Sequence, residues 1–178
     1  MTDARDPITR LKKRIKELGW AVTVDETMSF DQPDLTKLLE LWRAKRESIG
    51  ALPRREDFGI RSLKPFLKHV SILERIPASS GHRYRIRLQG TMLAHVFGDQ
   101  TGKMLEDAVP PQLVERWTGI YDTVLEARRP LRMLGTYDTE SMNYLVGEAL
   151  AIPLGNGDAP PGSILSAAYF TPRHKSKL

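Results

Sequence analysis

The sequence predicts an α+β fold, with a five-stranded antiparallel sheet and helices on one face of that sheet. The spacing of apolar residues is helical before residue 70, has a period of two over 70–89, and is strand-like again after residue 130. A long amphipathic segment, 110–129, separates the two groups of strands. A hairpin, a helical crossover and three further strands therefore follow one another along the chain.

Two amphipathic helices precede the strands. The first covers residues 8–18, and its polar face is strongly basic. Its apolar stripe consists of Ile8, Leu11, Ile15 and Leu18. The second begins at Pro33, a residue suited to the first helical position, and ends at Gly50. The intervening residues, 21–32, are predicted to be a linker.

The strand pattern is clearest at 82–89, where Tyr84, Ile86 and Leu88 alternate with three arginines. With 70–76 this segment predicts a hairpin. Further short helices are predicted at 62–68, 91–97 and 104–108. The last three strands are predicted at 131–139, 143–154 and 163–170. Residues 155–162, rich in glycine and proline, are predicted to be a loop.

The net charge of +5 is concentrated at the two ends of the chain. Residues 1–20 carry six basic and three acidic side chains, and residues 171–178 carry three basic and none that are acidic. The rest holds 18 basic and 19 acidic groups, so the body is nearly neutral. This distribution argues against a nucleic-acid-binding surface on the body of the protein.

Composition excludes several classes of protein. The 178 residues fit one domain, and the absence of cysteine excludes disulfides, thiolate metal sites and cysteine nucleophiles. No apolar run is long enough for a membrane span, so a cytoplasmic location is expected. The four histidines have no metal-ligand spacing, and no nucleophile is paired with a base. We therefore expect a protein that is not an enzyme, with no metal site and no identifiable cofactor.

Several short motifs between residues 41 and 170 occur in an order typical of one family. They are Leu41-Trp42, the segment 52–58, the strand 84–91 ending in Gln89-Gly90-Thr91, Phe97-Gly98, the turn 99–103, and 150–154. This part of the chain resembles the small bacterial single-domain PAS proteins. The resemblance divides the chain into a basic helix and linker (1–32), a PAS domain with its N-terminal helix (33–170) and a basic tail (171–178).

The resemblance implies a sensor or interaction module in bacterial signalling that forms a homodimer. PAS domains bind small molecules, or each other, between the sheet and its helices. Candidate ligand-binding residues are His95, Trp117, Tyr121, Met133 and Tyr144. Aromatic rings can line a cavity, and tyrosine hydroxyls can orient a ligand. The alternative for Trp117, Tyr121, Met133 and Tyr144 is that they fill the core and leave no cavity. The alternative for His95 is a surface or partly buried histidine that is hydrogen-bonded to the backbone.

Arg83, Arg85 and Arg87 share one face of a predicted strand. Three guanidinium groups spaced by two residues could bind an anion or an acidic partner. The alternative is a sheet face with cross-strand acidic partners such as Glu148. For Arg87, an ion pair with Glu56 or Asp57 is a further alternative.

The basic helix at 8–18 has three possible roles. It could pack on a second copy of the chain or another protein, remain solvated, or lie on an anionic membrane surface. The primary hypothesis is a cytoplasmic, non-enzymatic PAS sensor that binds a small ligand or a signalling partner. The alternative hypothesis is a binder of nucleic acid or an anionic membrane surface that acts through its basic ends, although nucleic acid is the less favoured partner.

Overall fold

The computed structural model describes residues 5–138, 143–157 and 159–174, with the side chains of residues 137, 138, 143, 144, 173 and 174 left aside. In these residues a single antiparallel sheet of six strands has the order β1-β4-β5-β6-β2-β3. Its strands are β1 (Val22–Asp25), β2 (Val70–Pro77), β3 (His82–Gln89), β4 (Leu131–Asp138), β5 (Asn143–Asn156) and β6 (Ala159–His174). Its helices are α1 (Pro7–Leu18), α2 (Pro33–Ile49), α3 (Ile60–Leu63), α4 (Thr91–Phe97), α5 (Leu105–Ala108) and α6 (Pro111–Ala127). Two 3-10 turns, Arg55–Asp57 and Leu67–His69, complete the list of elements.

The predicted α+β class is confirmed, and five of the six strands are the predicted ones. The sixth strand, β1, lies within the predicted linker 21–32 and pairs with β4, where Val22 is opposite Gly135. Four residues are too few for a period of two to stand out. Two boundaries also differ: 62–68 is divided between α3 and a 3-10 turn, and β6 begins at Ala159, so the loop predicted at 155–162 is much shorter.

Helices lie on both faces of the sheet: α4, α5 and α6 cover one face, and the predicted N-terminal helix α2 covers the other. On β5, Ala151 belongs to the core beneath α1 and α6, while its neighbours Leu150 and Ile152 belong to the core beneath α2. Trp42 of α2 is buried on this second face and donates its indole N–H to the carbonyl of Pro153 over 3.2 Å. Because both faces of the central strands are buried, these strands are apolar at nearly every position instead of alternating.

A buried ion pair joins the segment before α2 to the sheet. The guanidinium of Arg132 donates to Glu148 from Nε over 2.9 Å and from Nη2 over 2.7 Å. Glu148 also accepts the backbone N–H groups of Asp31 (3.1 Å) and Gln32 (2.9 Å), and Arg132 reaches Asp25 with its third nitrogen over 2.7 Å. The turn that leads into α2 is therefore held by charged side chains of β4 and β5.

The N-terminal helix α1 packs on α6 of the same chain. Ile8 and Leu11 are buried in the core that includes Ile120 and Val124. Ion pairs flank this contact: Arg10 with Glu126 and Arg14 with Glu115, both at 2.6 Å, and Lys12 with Glu26 at 3.6 Å. The N-terminal half of the apolar stripe is therefore used inside the chain, and a contact of the remaining surface of α1 with a partner or a membrane stays a prediction.

Candidate ligand cavity

A cavity of about 710 Å³ lies between one face of the sheet and helices α4, α5 and α6. This volume is within the usual range for sites that bind small organic molecules. Its wall also includes Ala21 and Val22, so the segment that follows α1 contributes to the site. Most of the lining side chains are apolar.

The floor of the cavity consists of small side chains on the central strands. Its members include Ser71, Gly135, Gly147, Ala149, Ser166 and Ala168. They are brought together by register, because Gly135 is opposite Gly147 and Ala149 is opposite Ala168. Where larger residues occupy the same face, as at Leu131 and Ile164, the core is filled. These small side chains leave space beneath α6, and longer side chains of the same sheet, such as Leu73 and Met133, complete the lining.

Helix α6 forms the roof. It begins at Pro111, directly after Pro110, and proline suits the first turn because it lacks an N–H group to be satisfied there. Its side chains at a spacing of four, Leu113, Trp117 and Tyr121, all line the cavity. The rings of Trp117 and Tyr121 are stacked, with centroids 6.0 Å apart. These two rings give the roof a rigid aromatic surface.

A single charged side chain lines the cavity among the described residues. Arg116 of α6 is 7% exposed, and its buried Nε has no hydrogen-bond partner in the part of the chain that the structure describes. The guanidinium lies 5.2 Å from the ring centroid of Trp117. A buried cation without an acidic partner is costly, which makes this residue unusual in an apolar wall.

Gln100 supplies a second polar atom without a partner in the same wall. Its backbone N–H donates to the side chain of Gln89, and its amide nitrogen donates to the carbonyl of Phe97, both over 2.7 Å. These bonds fix the orientation of the amide, and its Oε1 atom is buried without a partner among the described residues. Two lining residues, Arg116 and Gln100, therefore each hold one buried polar atom without a partner among the described residues.

The predicted ligand-binding residues do not all lie at the cavity. Trp117 and Tyr121 line its roof, and Met133 lines it from β4. His95 is exposed on α4 and is not a lining residue; Leu93 and Val96, on either side of it in the sequence, line the cavity instead. The side chain of Tyr144 lies outside the described residues.

The three arginines of β3 are paired with acidic side chains. Arg83 pairs with Glu106, while Arg85 (2.8 Å) and Arg87 (3.5 Å) both pair with Glu74. Glu148 is instead bound to Arg132, and Asp57 pairs with Arg54. Arg85 and Arg87 thus share a cross-strand acidic partner on β2, whereas the partner of Arg83 lies on α5.

Behind the roof, one carboxylate joins α6 to β3. Asp122 accepts the hydroxyl of Tyr84 over 2.7 Å, and its Oδ1 lies 2.6 Å from Nε2 of His82. Burial and the neighbouring carboxylate raise the pKa of Tyr84, so this hydroxyl keeps its proton and remains a donor. The tilted contact of the Tyr84 and Tyr121 rings, with centroids 5.4 Å apart, extends the connection to the cavity.

The described part of the chain contains no cluster of three or more histidine, aspartate or glutamate side chains that could hold a metal ion. None of its helices combines the length and apolar character needed to cross a bilayer.

Sequence reasoning missed Arg116, although its position carried a signal. It lies three residues after Leu113 and four before Ile120, both on the apolar stripe of α6. A charged residue on the apolar side of a helix is unusual, because that side packs against the rest of the protein. Periodicity alone could not show that the stripe faces a cavity.

An antiparallel sheet whose helices enclose a cavity on one face is an architecture that can hold a small molecule. The model of the PAS domain family matches residues 30–168. The chain therefore belongs to the PAS domain family, and its α+β fold with the additional N-terminal helix is consistent with that family. No curated protein matches the sequence.

Proposed function

We propose that this protein is a non-enzymatic sensor that binds a small organic molecule in the cavity beneath α6. The observation that carries this proposal is a space of about 710 Å³ with a floor of small residues and an aromatic roof. Trp117, Tyr121 and Met133 provide the apolar contacts. Signalling in a bacterial cytoplasm remains a prediction from the sequence.

The N-terminal helix is the element through which occupancy can be transmitted. Ala21 and Val22 line the cavity directly after α1. Trp20 packs near Gly119 of α6, where an added Cβ would be in ordinary van der Waals contact with the indole ring at 3.5 Å. A ligand that touches both α6 and residues 21–22 favours one arrangement of α1 on α6, and so shifts the population between arrangements.

A thermal screen tests the proposal. The full chain is heated with a library of small metabolites, and a ligand at 100 times its dissociation constant adds about 2.7 kcal/mol to the stability of the folded state. Ala149→Leu, which places a larger side chain on the cavity floor, should abolish the rise in melting temperature. Ala44→Leu, on an exposed position of α2, is the matched control and should retain it.

Two results would contradict the proposal: a library without any stabilising compound, or a hit that stabilises wild type and Ala149→Leu equally. Hydrogen exchange in α1, compared with and without a hit, tests the transmission step. Protection of α1 should change on binding if the arrangement of α1 on α6 responds to occupancy.

The alternative of binding through the basic ends receives less support. Arg10, Lys12 and Arg14 are each paired with an acidic side chain of the same chain, which reduces the positive potential of α1. Binding to nucleic acid or to anionic vesicles should be weak at physiological salt. Tight binding that falls steeply with salt concentration would favour the alternative.

Self-association is also a proposal. The buried part of the α1 stripe is not available for it, so a homodimer would need another surface. Sedimentation velocity of the full chain over a range of concentrations measures its oligomeric state directly, and a monomer at all concentrations would exclude the homodimer.

A further inference from the structure

The cavity wall carries one positive charge, and none of the described lining residues is acidic. Arg116 is the single charged lining residue there, and no acidic side chain joins it. The residue as a whole is more than nine-tenths buried, and its Nε has no partner among the described residues. Burying a cation in this way destabilises the empty protein, so a compensating gain is expected when a ligand binds.

We propose that the ligand is a monocarboxylic acid with an apolar body, and that its carboxylate pairs with Arg116. This inference rests on the proposed function and specifies the ligand class for the same cavity. The planar guanidinium matches a carboxylate with two parallel hydrogen bonds. The apolar body of the ligand then lies between the aromatic roof and the floor of small residues.

The charge of the site selects a monoanion. A phosphate monoester carries a charge of about −1.5 to −2 at neutral pH, and one arginine would leave part of that charge unbalanced in an apolar cavity. A single carboxylate balances Arg116 completely.

The position of Arg116 on α6 reinforces this preference. Pro110, Gln112 and Leu113, at the start of this 17-residue helix, also line the cavity. The N-terminal end of a helix carries a partial positive charge. Arg116 lies one turn into α6, so both sources of positive potential favour an anion at this end of the cavity.

The test is calorimetric titration of the full chain with straight-chain carboxylic acids from hexanoate to tetradecanoate, their matched alcohols and their alkyl phosphates. Wild type should prefer the best acid over its alcohol by about 10- to 100-fold, the range expected for a charged hydrogen bond. Arg116→Met should lose this preference, and Arg116→Lys should keep part of it. Arg43→Met, an exposed arginine on α2, is the matched control and should behave as wild type.

The melting temperature of the empty protein provides a second measurement. Arg116→Met should raise it, because it removes an unpaired buried charge; a merely structural arginine would give a decrease on substitution. If this variant does not fold, the comparison of acid and alcohol in wild type and in Arg116→Lys still decides the question.

Several results would overturn the inference. Equal affinity of wild type for acid and alcohol would remove the carboxylate preference but would leave the proposed sensor intact. Alkyl phosphates that bind as tightly as the acids would exclude a selective monoanion site. A screen that finds only ligands without an acidic group would contradict the proposed ligand class but not the proposed sensor. A screen that finds no ligand at all would contradict the proposed function itself.

Discussion

Ala149 of β5 and Ala168 of β6 are directly opposite each other on the face of the sheet that α6 covers. Two methyl groups occupy positions where strands of this core elsewhere carry leucine and isoleucine. The small size of these two side chains contributes to the space beneath α6.

Filling the floor should stabilise the empty protein. Ala149→Leu adds buried apolar surface in existing space, and cavity-filling substitutions commonly raise the free energy of unfolding by about 0.5–2 kcal/mol. Ala151→Leu is the matched control, because Ala151 lies two residues further on the same face but is fully buried. Overpacking there should cost about 1–3 kcal/mol. Urea denaturation measures both values, and equal destabilisation by the two variants would contradict an open cavity.

Breaking the buried ion pair of Arg132 should be strongly destabilising. Arg132→Met leaves Glu148 buried with two backbone donors but without its cation, a loss of about 3–5 kcal/mol. Arg10→Met removes an exposed pair and should cost at most about 1 kcal/mol. Chemical denaturation of the two variants gives the comparison, and similar small losses would mean that the turn before α2 is held by other contacts.

Gly90 should not tolerate a side chain. An added Cβ would overlap the backbone carbonyls of Leu67 and Lys68, which cannot move as a flexible side chain can. Gly90→Ala should therefore lower the free energy of unfolding by at least about 2 kcal/mol. Gly162→Ala is the control, because open space surrounds its Cβ position, and it should fold normally. Thermal melting distinguishes them; a fully stable Gly90→Ala would mean that α4 and the 67–69 turn are further apart in solution.

The cap of α1 should contribute to stability in a pH-dependent way. The backbone hydrogen bond from Thr9, aided by Arg129, lowers the pKa of Asp6 below its ordinary value of 3.8, although burial opposes the shift. A lowered pKa in the folded state stabilises the fold above pH 3.8, and that contribution is lost as the pH falls from 3.8 through the lowered pKa. Asp6→Ala should cost about 1 kcal/mol at neutral pH.

Asp6→Asn separates the cap from its charge. Asparagine also caps helices well, so this variant should retain most of the stability at neutral pH. Its stability should fall less steeply than that of wild type below pH 3.8. Denaturation midpoints measured at a series of pH values test this, and an unchanged acid-side slope would show that Asp6 does not contribute to the pH dependence.

The elements with strong local signals could be predicted from the sequence. The alternation of Tyr84, Ile86 and Leu88 predicted β3. The two prolines at the start of α6 and the apolar stripe of this helix predicted the crossover helix. β1 could not be predicted because its four residues depend on pairing with β4. The face that α2 covers could not be predicted, because the central strands are apolar on both faces and do not show which face a given helix packs against.

The site was only partly predictable for a related reason. Trp117 and Tyr121 were identified as aromatic residues on the inner stripe of α6, but a stripe does not distinguish a filled core from a cavity. That distinction depends on the small residues of β4, β5 and β6 that register brings opposite them. His95 lies on the exposed side of α4, whereas Leu93 and Val96 of the same helix line the cavity, and the sequence did not show which side of this short helix faces the sheet.

The most direct test of the account is a two-dimensional carbon–proton spectrum of the chain labelled at alanine methyl groups, recorded during titration with a hit from the thermal screen. The methyl signals of Ala149 and Ala168 are assigned through the variants Ala149→Leu and Ala168→Leu. Both signals should shift in proportion to occupancy, while that of exposed Ala44 stays in place. Saturable binding that leaves the Ala149 and Ala168 signals unchanged would contradict a ligand site between α6 and the sheet.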